Sequence, residues 1–240
     1  MTSTSNLAKL TSSRGILLLY ISTDYVFPGT RGEAPYKANS KPNPPNIYGQ
    51  TKLDGENAVL ETTDSTGLGV VLRVPVLYGH VEPEGNNKES AVNTIMDVLW
   101  KSQDRIKATS DSEKIKMDHW ALRYPTNTED VGRVCVAICK QYLSILSTKD
   151  HEKTKALPTI LQFSSEDKMT KYEICQAFAE IMGLSTDGIV ADEDGGGGAG
   201  GTLRPYDCHL DTSDLKELGI DTKTQDFTAW WRREVRAFRH

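Results

Sequence analysis

Three side chains of this 240-residue chain have the types and spacing to move a proton. Thr23 follows the apolar run "GILLLYIS", and Tyr48 and Lys52 stand four apart in "NIYGQTKLDGE". A spacing of four puts Tyr48 and Lys52 on one helix face. A free tyrosine, with a pKa of about 10, transfers protons poorly near neutrality. A lysine ammonium held nearby favours the phenolate and brings it toward working pH. Thr23 lies just past a predicted strand, and the carboxyl ends of parallel strands are where open α/β sheets bind ligands. Its hydroxyl could hold a substrate oxygen against the tyrosine. The trio suits proton transfer to a carbonyl oxygen while a hydride arrives from a nicotinamide. Taken alone, the Tyr–Lys pair reads first as a solvated helix surface, so its surroundings must decide.

Those surroundings read as alternating strands and helices. "GILLLYIS" (15–22) is a short apolar run expected to form a strand buried on both faces. A Pro-, Gly- and Asn-rich loop follows over 28–46, then a helix from about Tyr48 to Glu61. "GVVLRVPVLYG" (69–79) is a second strand, ending near Pro75. Helical spacing returns over 89–102 and over 125–143, where Thr126 and Glu129 have capping-box spacing. "TILQFSS" (159–165) is a third strand. "MTKYEICQAFAEIMGL" (169–184) is an amphipathic helix with a second capping box, Thr170 and Glu173, and Gly183 near its end. The alternation predicts an α/β fold with a mainly parallel sheet.

"DEDGGGGAGG" (192–201) contains a formal G-x-G-x-x-G at Gly195, Gly197 and Gly200. Acidic residues precede it, where a phosphate would be repelled, and "TLRP" follows in place of a helix start. It reads as a surface loop. A net charge of −5 and a pI near 5.6 argue against nucleic acid as a partner. The longest apolar run, Ile16 to Ile21, is too short for a bilayer, and "MTSTSNLAKL" has no secretory pattern. The four cysteines form no CxxC pair, and Cys135 and Cys139, one turn apart, read as a helix face. A reducing, cytoplasmic compartment and no metal site are expected.

Several motifs in order, "STDYVFPGT", "YGQTKLDGENAVLE", "LRVPVLYG", "MDHWALRYPT" and "LRP…LDTSDLKELGI", carry a specific resemblance. The chain resembles the extended short-chain dehydrogenase/reductases, in their dTDP-4-dehydrorhamnose reductase branch, and within it the regulatory β subunits of methionine adenosyltransferase. The resemblance implies the C-terminal part of an NAD(P)-binding Rossmann-like fold with a small α+β substrate-binding lobe. It divides the chain into a partial Rossmann-like domain over 1–80 and, over 81–240, a lobe mixed with late Rossmann elements. The family's first strand–helix units, with the pyrophosphate site, are expected to be lacking, which makes NADP(H) binding by this chain doubtful.

The same resemblance assigns Thr23, Tyr48 and Lys52 to the family's catalytic hydroxyl, tyrosine and lysine. It places Tyr48, Lys52, Pro75, Val76 and Leu77 at the nicotinamide end of NADP(H), and Asp118, His119, Trp120 and Arg123 near the substrate cleft. By its residues alone, His119 beside a tryptophan reads first as a satisfied structural histidine. The tail "FTAWWRREVRAFRH" is either an amphipathic helix packed on its domain or a partner-binding arm. The resemblance favours the arm, with Trp231, Arg232, Phe238, Arg239 and His240 facing the catalytic subunit of methionine adenosyltransferase. A non-catalytic regulator is the leading expectation, and an NADPH-dependent reductase of a nucleotide-linked 4-keto sugar the alternative.

Overall fold

The computed structural model describes residues 3–81, 87–195 and 204–237. Its elements run α1 (Ser3–Ser13), β1 (Leu18–Thr23), α2 (Ile47–Thr63), β2 (Gly69–Val74), β3 (Leu77–Tyr78), α3 (Thr94–Ser102), β4 (Ile115–Asp118) and β5 (Thr126–Asn127). They continue with α4 (Thr128–Ser147), α5 (His151–Lys155), β6 (Ile160–Gln162), α6 (Lys171–Met182), β7 (Ile189–Asp192), α7 (Ser213–Glu217) and α8 (Phe227–Glu234). This is the α/β class the pattern predicts. Two compact units divide the chain.

The first unit comprises Met1–Pro75, Glu129–Ser164 and Cys208–Lys223. Its sheet has the order β1-β2-β6, with both ladders parallel. The register runs from Leu18 opposite Gly69 to Thr23 opposite Val74, so both strands end together. Central β2 is buried at all six positions. Each apolar side chain so placed contributes about 1.5–3 kcal/mol. β1 differs from expectation: only Ser22 and Thr23 are buried, and Leu18 to Ile21 are half-buried. Among the described residues its single ladder partner is β2, which leaves it an edge strand. Asn46 starts α2 by accepting the Gly49 N–H on its side chain.

The second unit comprises Val76–Thr128, Ser165–Asp207 and Thr224–His240. Two parallel strand pairs, β3-β5 and β4-β7, accompany α3, α6 and α8. Its core gathers Tyr78, Ile95, Leu99, Phe178, Phe227, Trp230 and Trp231. At the start of α6 the Thr170–Glu173 capping box forms as predicted, and Gly183 ends the helix in the left-handed conformation at φ 66°.

Other expectations are corrected. Thr126 does not cap a helix. It pairs with Leu77 as part of β5, and its hydroxyl donates to the Tyr124 carbonyl and accepts the Ser165 N–H. Sheet pairing has taken the residue that local spacing assigned to a cap, and α4 begins two residues later. The first unit ends at Pro75 and takes back 129–164 and 208–223, and the second opens at Val76. Gly195 follows β7 in a turn at φ 71°, while Gly197 and Gly200 lie outside the described residues.

Candidate functional site

The carboxyl end of β1 and the first turns of α2 bring the expected trio to one corner of the first unit. Past Thr23 the chain tightens into a short 3-10 turn, Asp24–Val26, with Thr23 as its cap. The Thr23 hydroxyl accepts the Tyr25 N–H at 3.3 Å and donates to Asp24 Oδ1 at 3.0 Å. The residue is buried, 6% exposed. Tyr48 is 55% exposed, its ring meeting Tyr25 edge-on at 6.1 Å. Lys52 Nζ donates to the Ile21 carbonyl at 2.9 Å and lies 5.2 Å from the centre of the Tyr20 ring. Burial holds the Lys52 ammonium below the ordinary lysine range, with Glu56 opposing the shift.

Two glycines of "YGQTKLDGE" let α2 approach this closely. A Cβ on Gly49 would stand 2.2 Å from the Tyr25 carbonyl oxygen, and one on Gly55 would stand 2.2 Å from the Tyr20 hydroxyl. Neither position tolerates a side chain without displacement. The corner therefore presents an exposed phenol, with a hydroxyl and an ammonium engaged locally. Among the described residues, Lys52 donates to the strand and not to Tyr48.

Pro75 closes the first unit and is buried, while Val76 and Leu77 open the second and are half-buried. There the Val76 carbonyl accepts the Thr126 N–H at 3.0 Å.

The other predicted cleft residues belong to the second unit. Asp118 ends β4, and its Oδ1 accepts the N–H groups of Trp120 and Ala121, both at 3.0 Å. Its Oδ2 faces the guanidiniums of Arg123 at 4.0 Å and Arg204 at 3.8 Å. Buried Arg123 donates to the Leu122 carbonyl at 2.7 Å. His119 bonds through Nδ1 to the Thr170 hydroxyl at 2.9 Å and leans on Tyr172. Trp120 meets Tyr206 edge-on at 5.0 Å.

Sequence reading missed Lys171 and Arg204. Burial holds the Lys171 ammonium below its usual range, and Arg204 and Arg123 push the same way against Asp118. Two guanidiniums thus face one carboxylate, with the Lys171 ammonium within electrostatic reach, which leaves the cluster net positive. "TLRP" and "TKYE" carry these residues, yet nothing in their spacing says that they meet.

The tail requires a correction. Trp231, expected to face a partner, is 1% exposed. It stacks on Tyr78 at 5.8 Å and meets Phe178 and Trp230 edge-on, both at 4.9 Å. The helix places Phe227, Trp230 and Trp231 on one face, and that face is core. Arg232 is exposed and pairs with Glu180 at 3.0 Å. Phe238, Arg239 and His240 lie outside the described residues.

Comparison with known proteins fits these features. Methionine adenosyltransferase 2 subunit beta of Xenopus tropicalis is 38% identical over 221 residues, which cover 91% of this chain and 57% of that relative. The chain thus spans little more than half the length of the curated relative it matches. The dTDP-4-dehydrorhamnose reductase of Clostridium acetobutylicum superposes with a TM-score of 0.71 at 22% identity, over 97% of this chain and 70% of that one. The Bacillus anthracis enzyme of the same name, solved in complex with NADP, gives 0.68 at 21% identity, over 97% and 68%. The model of the RmlD substrate binding domain matches residues 1–238, and the chain belongs to that family.

Proposed function

We propose that this protein is a regulatory subunit of a methionine adenosyltransferase, which binds the catalytic subunit and modulates S-adenosylmethionine biosynthesis in the cytoplasm. The observation that carries this reading is the 38% identity, over 91% of the chain, to the Xenopus tropicalis subunit. The local bonding of the corner supports it: the Thr23 hydroxyl is donated to Asp24 and the Lys52 ammonium to Ile21. Four free cysteines suit a reducing compartment. The exposed Arg232 leads into the Phe238–His240 segment, which this reading assigns to the partner.

A second reading, an NADPH-dependent reductase of a nucleotide-linked 4-keto sugar, is favoured by Thr23, Tyr48 and Lys52 sharing one corner. The exposed Tyr48 phenol and the neighbouring Lys52 fit the nicotinamide end of NADP, which supplies the hydride when bound. Tyr48 would then pass its proton to the substrate oxygen. One variant separates the readings. Under the regulatory reading, Tyr48→Phe keeps its co-purification with the catalytic subunit, and neither it nor the wild type turns over keto-sugar. Keto-sugar turnover by the wild type that Tyr48→Phe abolishes would establish the reductase.

A further inference from the structure

Arg73 is the one charged residue of β2, and it and Glu56 of α2 are each 1% exposed. Charges so far removed from water persist only when paired and hydrogen-bonded. The guanidinium grips the carboxylate with two bonds, Nε to Oε1 at 2.9 Å and Nη2 to Oε2 at 2.7 Å. Arg73 Nη1 donates to the Ala38 carbonyl at 3.1 Å and meets Gln162 of β6 at 3.4 Å. Glu56 Oε1 takes one further bond, from the Ser22 hydroxyl at 2.5 Å.

These bonds converge on the stretch of β1 that Lys52 also reaches. Lys52 binds the carbonyl of Ile21, Glu56 binds the side chain of Ser22, and Thr23 is next in the chain. Lys52 and Glu56 are one turn apart, so α2 holds the end of β1 at two consecutive residues. We propose that Glu56 is the positioning residue of this corner: anchored by Arg73 and Ser22, it fixes the face of α2 that holds the Lys52 ammonium on the Ile21 carbonyl beside Thr23.

Glu56 also acts through its charge, since it opposes the burial that draws the Lys52 pKa down. Among the described residues Tyr20 of β1 also faces Lys52, with its ring 5.2 Å from Nζ, and Tyr48 stands one turn earlier on α2. Arg73, the cation on β2, is neutralised by Glu56 itself. The charge effect reports that Glu56 faces Lys52, and the bond from Lys52 to the Ile21 carbonyl reports the positioning. The proposal stands whether the chain regulates or reduces.

The test is the titration of Lys52, followed by NMR of its ¹³Cε in lysine-labelled protein, with Lys52→Arg assigning the signal. In Glu56→Gln the midpoint is expected to fall by about one unit, a tenfold change, as expected on losing a facing opposite charge. Glu56→Asp restores the charge and is expected to return the midpoint toward that of the wild type. Because Glu56→Gln strands a buried guanidinium and can unfold, Glu56→Gln/Arg73→Met is made beside it; joint replacement of a buried ion pair is often tolerated, and with both charges gone the Lys52 midpoint is expected to fall by less. Ser22→Ala, the mildest cut, is expected to shift the Lys52 ¹³Cε resonance, which reports the bond to the Ile21 carbonyl from the far side of the contact. A wild-type Lys52 midpoint in every Glu56→Gln variant that folds, or an unmoved Lys52 ¹³Cε resonance in Ser22→Ala, overturns the proposal.

Discussion

Replacing Trp231 with alanine tests whether the C-terminal aromatic pair is core or interface. The indole is 1% exposed and touches Tyr78, Phe178, Phe227 and Trp230. Deleting so large a buried ring costs about 3–5 kcal/mol, part for lost transfer and part for the cavity. At roughly 2–4 °C per kcal/mol for a chain of this size, the melting temperature should fall by about 6–20 °C. Trp231→Phe separates volume from polarity. Among the described residues the buried indole Nε1–H has no acceptor, a penalty of about 1–3 kcal/mol that phenylalanine removes. That relief offsets much of the lost ring, so Trp231→Phe should stay within about 1–2 kcal/mol of wild type. Thermal denaturation followed by circular dichroism reads both variants. An unchanged melting temperature for Trp231→Ala would refute the core assignment and return Trp231 to the partner surface.

Gly49→Ala should cost about 2 kcal/mol or more, because the new methyl would meet the Tyr25 carbonyl oxygen at 2.2 Å; Gly132→Ala, with nothing within 4 Å, should stabilise by about 0.5–1 kcal/mol in urea melts. Thr170→Ala removes both the α6 cap and the His119 bond and should cost about 1–2 kcal/mol by the same assay. Burial pushes the Cys175 thiol up to about 11. Its neutral form is favoured in the folded state, so its contribution is whole below a pH of about 8.5 and is lost as pH rises toward the folded value. The urea midpoint should therefore fall over that window, and Cys175→Ala should flatten the fall. Deleting Arg236 to His240 spares both tryptophans, and should leave the melting temperature unchanged while removing most affinity for the catalytic subunit.

The parts legible in the sequence are those where local and global signals agree. "GVVLRVPV" and "MTKYEICQAFAEIMGL" carry apolar patterning, caps and length together, and β2 and α6 stand where they predict. The strands β3, β4, β5 and β7 are two to four residues long, too short for a period to show, and they exist through pairing with distant partners. Thr126 fails as a cap for that reason. The tail was ambiguous because aromatic and basic composition alike describe an interface and an amphipathic helix; only the packing of Trp231 against Tyr78 decides. One buried pairing is announced by composition alone. Arg73 is a lone charge in an apolar strand, and such a charge demands a buried partner, which Glu56 supplies from α2.

The most direct measurement is calorimetric titration of this chain with the catalytic subunit of methionine adenosyltransferase, run beside an NADPH-coupled keto-sugar assay on the same preparation. The regulatory account predicts saturable binding and no turnover. Absence of binding, together with turnover that Tyr48→Phe abolishes, would contradict it.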